Sequence, residues 1–180
     1  MRELELSKAF TLIEPGPVVM VSTAYKGKAN LMTISWTMVM DFTPRLALVT
    51  GPWNYSYTAL TKTKECVLAI PTIDLLDKVI GVGTTSGKDI DKFAEFGLTA
   101  VRASEVSAPL IEECYANIEC RVVDYIKEHG IFVLDAVKAW IDEDKLTQGI
   151  FHARGDGTFA ADGKVFDRRK QMESKLPEGV

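Results

Sequence analysis

The sequence predicts a mainly β fold, an antiparallel barrel with helical insertions. Two observations carry this. Most apolar stretches are short, rich in β-branched residues and alternating with period two. The stretches that suit a helix are few, and they sit between some strands rather than after every strand. A doubly wound parallel sheet needs that strict alternation, so it is not expected. The 180 residues make a single domain, 1–180, ending in a polar tail from about Lys164.

Taken in order, Pro17 to Ala24 (PVVMVSTA) is short and valine-rich, as a strand is. Lys26-Gly27-Lys28 supplies a turn. Asn30 to Met40 follows, with Ile34, Trp36, Met38 and Met40 on one parity and Thr33, Ser35 and Thr37 on the other. These two segments predict an antiparallel hairpin. Arg45 to Thr50 is a third strand, stopped by Gly51-Pro52. Thr58 to Lys64 predicts a short helix, and Glu65 to Ile70 a fourth strand ended by Pro71. Thr72 or Asp74 caps a helix running to about Gly81, with Leu75, Leu76, Val79 and Ile80 on its apolar face. Asp89 to Phe96 predicts another short helix, with Gly97 in the position of a left-handed cap. Tyr115 to Ile126 and Ile131 to Ile141 are long strands joined through Glu128-His129-Gly130. Gly155-Asp156-Gly157 and Asp162-Gly163 mark turns before the tail. The count is about six strands.

Composition narrows the function. The net charge is −4, a poor basis for general binding to nucleic acid, which needs a basic surface. Three cysteines, Cys66, Cys114 and Cys120, cannot all pair within the chain and have no C-x-x-C spacing, so reduced core thiols in a cytoplasmic protein are expected. Met1 to Leu6 carries two acids where a signal peptide is basic and then apolar. No apolar run is long enough for a membrane helix.

Several chemistries fail on spacing. Gly81-Val82-Gly83-Thr84-Thr85-Ser86-Gly87-Lys88 lacks the first glycine of a P-loop, and Asp89 stands where a magnesium-binding hydroxyl belongs. Ser86 likewise breaks a G-x-G-x-x-G fingerprint, which leaves a glycine turn between helices or a ligand loop. His129 and His152 are the only histidines and are far apart, so no metal site is expected. Cys114 and Cys120 are six apart, and on one strand they share a face, where core packing suffices. No G-x-S-x-G elbow is present. What remains is hydroxyls, aromatics and a few cations. Trp53 to Thr58 places hydroxyls before a predicted helix start, where unpaired N–H groups suit a phosphate. Singly, each residue has an ordinary reading: Thr58 as an N-cap, Trp36 as core, Lys92 as a solvated helix residue.

Together these residues carry a resemblance. Pro15-Gly16-Pro17-Val18-Val19 resembles the P-x-P-V start of the flavin reductase-like family. Asn30 with Thr33-Ile34-Ser35-Trp36 resembles its N-x-x-x-x-S-W segment, and Pro44 and Tyr57-Thr58-Ala59-Leu60 follow at the usual interval. Ser86-Gly87-Lys88-Asp89-Ile90-Asp91-Lys92-Phe93 resembles the S-G-[KR]-D-x-D-K-F signature, the most specific of these. Ala108 to Cys114 and Ile118-Glu119-Cys120 resemble the A-P-x-I-x-E and L-E-C motifs that follow. The similarity spans roughly residues 8 to 155.

The resemblance implies a six-stranded, Greek-key FMN-binding split barrel. It implies a homodimer with FMN near the interface. Asn30 and Trp36 are then expected at the isoalloxazine, and Ser35 and Thr37 near the ribityl chain or phosphate. Ser56 and Thr58 cradle the phosphate, and Lys92 offsets its charge. His129 matches the family's histidine near the flavin, although the family often has G-D-H where this chain has Lys127-Glu128-His129. Phe159 or Phe166 supplies a last aromatic contact. No residue is expected to act as a catalytic acid or base, because the flavin carries the redox chemistry. The activity implied is electron transfer from NAD(P)H through FMN to free flavin, ferric iron or a protein. The alternative is a flavoredoxin-like carrier that takes electrons from a protein partner. No nucleic acid or membrane partner is expected.

Overall fold

The structure is a computed structural model and describes residues 16–40, 43–142, 144–145 and 149–175. The acidic N-terminus, Pro15 and the last five residues of the tail lie outside the described residues.

Strand β1 (Val19–Tyr25) turns into β2 (Lys28–Ile34) through Lys26 and Gly27, both at positive φ. That is the two-residue turn whose twist suits a hairpin. The register runs from Val19↔Ile34 to Tyr25↔Lys28. The expected strand from Asn30 to Met40 is not continuous. It breaks at Ser35-Trp36, and β3 (Thr37–Val39) follows. The amide of Thr37 donates to the Ser35 carbonyl, and the Trp36 carbonyl accepts from Val49. The backbone groups at the break are thus still paired, which is what lets the strand bend there.

Then come β4 (Arg45–Val49), α1 (Ser56–Thr63), β5 (Glu65–Ile70), α2 (Leu76–Thr84), α3 (Lys92–Glu95), β6 (Ala100–Val101), β7 (Leu110–Ile111), β8 (Ala116–Ile126) and β9 (Ile131–Ile141). A small hairpin, β10 (Phe151–Ala153) and β11 (Phe159–Ala161), and a short α4 (Arg169–Met172) finish the chain. The main sheet has seven strands in the order β2-β1-β5-β8-β9-β4-β3, with every pairing antiparallel. Its two edge strands, β2 and β3, are joined by only Ser35 and Trp36. The sheet must therefore curl until its edges meet at that joint, although β2 and β3 are not themselves paired. Counting β2 and β3 as one bent strand recovers the six strands expected.

Both faces of the curled sheet are covered. Val19, Val21, Met32, Leu68, Phe132 and Leu134 fill the inside of the curl. Met20, Leu31 and Ala69, of opposite parity on the same strands, pack outward with Val79, Val82, Phe93 and Phe151. Period two therefore places both parities of β1 in a core.

Several expectations shift. α1 begins at Ser56 with Tyr55 as its N-cap, so Thr58 lies inside the first turn and is not the cap. α2 runs three residues past Gly81, after a 3-10 turn over Ile73–Leu75, and Thr72 makes no side-chain cap bond. The helix expected over Asp89 to Phe96 shrinks to α3, because Asp91 caps it by accepting from the Phe93 and Ala94 amides. Gly97 has φ +55°, as a left-handed cap needs. Cys114 and Cys120 do not share a strand face. Cys114 precedes β8 and packs in the outer core, whereas Cys120 lies opposite Cys66 in the inner one. The hydrogen bond with the neighbouring Cys120 thiol, and then burial, push the Cys66 thiol well above the ordinary value.

Candidate functional site

The predicted site residues follow edge strand β2. Alongside it run the loop and first turn of α1 and the segment between α2 and α3. Two adjoining cavities lie there, and both are lined by Tyr55.

The smaller cavity, about 210 Å³, is walled by Thr33, Asn54, Thr85, Ser86 and Lys92 among others. Lys92 opens α3 and is only 5% exposed. Its ammonium donates to the Leu31 carbonyl at 2.9 Å and the Val82 carbonyl at 2.6 Å. Val82 lies in the last turn of α2, where carbonyls lack helical partners, so the lysine ties that end to β2. Thr33 adds a second tie, its hydroxyl donating to the Val79 carbonyl at 2.7 Å. An ammonium has three N–H donors, and two are spent. Among the described residues no carboxylate pairs with Lys92. Burial pulls its pKa down to about 8, which still leaves it charged at neutral pH.

The larger cavity, about 370 Å³, is lined by Thr23, Lys28, Asn30, Tyr55, Ser56 and Thr58 among others. Here Asn30 is buried, and its side-chain amide donates to Ser56 Oγ at 2.7 Å. It braces β2 against the start of α1. The Asn30 oxygen also fills the space beside Gly87, where a Cβ would come within 1.8 Å of it. Ser56 is 1% exposed, whereas Thr58 is open to solvent.

The predicted residues thus fall in several neighbouring places. Asn30, Ser56 and Thr58 share one cavity, and Lys92 faces the next. Tyr55 lines both cavities, so they adjoin. Asn30 lies within β2, whereas Trp36 lies past its end, at the bend into β3. Asn30 braces β2 against the start of α1 through Ser56. Ser35 and Trp36 form the joint between β2 and β3, with Trp36 54% exposed. Thr37 lines a different, apolar cavity with Pro17, Val19, Leu46 and Ile118. His129 is exposed in the β8–β9 turn, where the neighbouring Gly130 carbonyl accepts from the Thr50 amide at 3.0 Å. That contact sets the turn beside the loop leading to Trp53. Phe159 packs edge-on against Phe151, whereas Phe166 is 66% exposed.

Sequence reasoning assigned no role at the site to Thr23, Lys26, Lys28, Asn54 or Ser86. Ser86 stood in the signature already quoted, and Asn54 in the hydroxyl-rich segment before α1. Thr23, Lys26 and Lys28 gave no local signal, because only the hairpin register brings Thr23 opposite Asn30.

Comparison with known proteins agrees with this fold. An uncharacterized protein of Archaeoglobus fulgidus is 38% identical over 109 residues, covering 59% of this chain and 62% of that protein. The uncharacterized protein YddH of Escherichia coli K12 is 30% identical over 180 residues, covering 89% and 94%. Flavoredoxin of Desulfovibrio vulgaris (Miyazaki F) has the same fold, with a TM-score of 0.85 at 23% identity over 93% of this chain and 97% of that one. An FMN-binding domain of a flavin reductases-like enzyme from Shewanella baltica OS155 superposes with a TM-score of 0.78 at 24% identity, covering 91% and 95%. Residues 13–160 match the flavin reductase like domain, and the chain belongs to that family.

Proposed function

We propose that the chain is an FMN-binding oxidoreductase that passes electrons from NAD(P)H through FMN to free flavin, ferric iron or a protein. One observation carries the reading. Lys92 is a buried, charged amine with a donor to spare, no carboxylate partner among the described residues and a polar cavity in front of it. A buried charge without a counter-charge costs several kcal/mol. A phosphate monoester in that cavity supplies the missing charge, and membership of the family supports FMN as its bearer.

In this reading Lys92 holds the phosphate, with Asn54 and Ser86 as hydrogen-bonding neighbours. Trp36 lies past the end of β2, at the bend, where its exposed indole covers the apolar ring system, and Ser35 lies between. His129 borders the ring from the β8–β9 turn. FMN, when bound, supplies the two-electron chemistry, and the chain's residues bind and orient it.

The test is a visible spectrum after FMN is added and the protein desalted. Retention near one FMN per chain is expected. Lys92→Gln should lower FMN affinity about tenfold or more while the fold persists. A wild-type protein that cannot hold FMN overturns the reading. Consumption of NADH or NADPH then separates an enzyme from a carrier that receives electrons from a protein.

A further inference from the structure

Lys28 opens β2 and does not line the Lys92 cavity, yet it is tied to a segment that does. Its ammonium donates to the Gly87 carbonyl at 2.8 Å. The same ammonium lies 5.7 Å from the centre of the Tyr55 ring, a cation–π contact that keeps it beside the loop. Gly87 is buried, and the Asn30 oxygen fills the place of its missing Cβ. The loop is thus confined on one side by Asn30 and held by Lys28 at its carbonyl.

The effect of that hold passes through one peptide plane. The Gly87 carbonyl and the Lys88 amide belong to the same rigid unit, so fixing the oxygen fixes the direction of the N–H. That N–H donates to Ser86 Oγ at 3.2 Å. Ser86 lines the Lys92 cavity. Its Oγ is committed as an acceptor, and among the described residues its O–H donates to no other group. The hydroxyl is therefore left to donate. Bonds in such a chain polarise one another, so a cation at the far end makes Ser86 a better donor. The Ser86 carbonyl in turn accepts from the Asp89 and Ile90 amides, at 3.0 and 3.2 Å. The segment then runs into the Asp91 cap of α3, whose first residue is Lys92. One short stretch of chain carries both the hydroxyl and the ammonium.

We propose that Lys28 is a positioning residue for the flavin phosphate: acting through the Gly87–Lys88 peptide, it holds the Ser86 hydroxyl as a donor into the Lys92 cavity. The assignment rests on the flavin reading and adds to it a residue outside the lining of that cavity.

The test is a fluorescence titration of the full chain with FMN and with riboflavin, which has the same ring and ribityl chain but no phosphate. Lys28→Met should lower FMN affinity about three- to tenfold, the worth of one hydrogen bond. Riboflavin affinity should not change. Lys28→Arg keeps a cation and donors at the Gly87 carbonyl and should restore most of the loss. Ser86→Ala should lower FMN affinity to a similar extent, and adding Lys28→Met to it should cost little more. In ligand-free protein, Lys28→Met should speed hydrogen exchange at the Lys88 amide. Lys28 is exposed, so its substitution leaves the core intact. Equal losses for FMN and riboflavin, full additivity with Ser86→Ala or an unaltered Lys88 amide would each overturn the proposal. Full additivity would mean that Lys28 acts by its charge alone. A wild-type protein that binds neither flavin overturns the flavin reading, whereas FMN affinity retained in full by Lys28→Met overturns this assignment alone.

Discussion

Gly87 and Asn30 show how tightly single residues set this site. The Asn30 oxygen occupies the place of a Gly87 Cβ, while its amide holds Ser56. Gly87→Ala therefore forces the loop or the brace to move. It should destabilise the protein by roughly 1–3 kcal/mol in a denaturant titration, the usual cost of overpacking. Asn30→Ala removes the obstruction but leaves Ser56 without its donor. The double variant should then be more stable than the sum of the single effects, since the two residues compete for one space. Lys92 adds a pH dependence. Its folded pKa, about 8, lies below the unfolded value of about 10.5. Between those values the unfolded chain binds more protons, so stability should rise with pH across that window. Phosphate affinity should fall over the same range, as the free site loses its charge. A stability-pH profile of Lys92→Met that still rises there would assign the titration to another group.

At the scale of an element, β8 organises more than its own pairing. Glu119 points out of β8 and accepts from the Ser104, Glu105 and Val106 amides, the Ser104 hydroxyl and Trp140 Nε1. One buried carboxylate thus fixes the 104–106 loop and joins β8 to the end of β9. Burial raises its pKa, but the hydrogen bonds from Trp140, Glu105 and Ser104 prevail and hold it below the ordinary carboxylate value. Its contribution to stability is full above about pH 4.5, the unfolded value, and is lost as pH falls through the lower folded value. Glu119→Gln should destabilise the protein at pH 7 and flatten the acid limb of a melting-temperature profile. An acid limb as steep as wild type would show that other carboxylates control it.

At the scale of the molecule, the outer edge of the curled sheet is apolar. Met38 and Val39 on β3 are 55% and 71% exposed, and Trp36 lies at the same edge. They adjoin a cavity of about 190 Å³ lined by Pro17, Leu46, Leu68 and Ile118. A contiguous apolar patch of this kind suits a protein contact, and a second copy of the chain, as in a homodimer, is the proposed occupant. Sedimentation should show a dimer, and Val39→Lys should shift it to monomer at equal concentration. Wild-type monomer at all concentrations would remove this reading, and with it an FMN site near a dimer interface.

Local physics was enough for much of this chain. Period-two runs, turn residues and caps define β1, β4, β5, β8 and β9, because alternation and punctuation act over a few neighbours. The signature from Ser86 to Phe93 pointed to Lys92 through resemblance, before any cavity was visible. Alternation alone extends one strand from Asn30 to Met40, since it carries no information about where a sheet must curl. Tertiary structure decided the bend at Ser35-Trp36, because β2 and β3 serve as opposite edges of one sheet. It also decided that Asn30 braces Ser56, that Lys92 is a buried charge with no carboxylate partner among the described residues, and that Thr23 meets Lys28 and Thr58 around a common cavity. These contacts join residues far apart in sequence, and burial and charge balance exist only once the chain has folded around them.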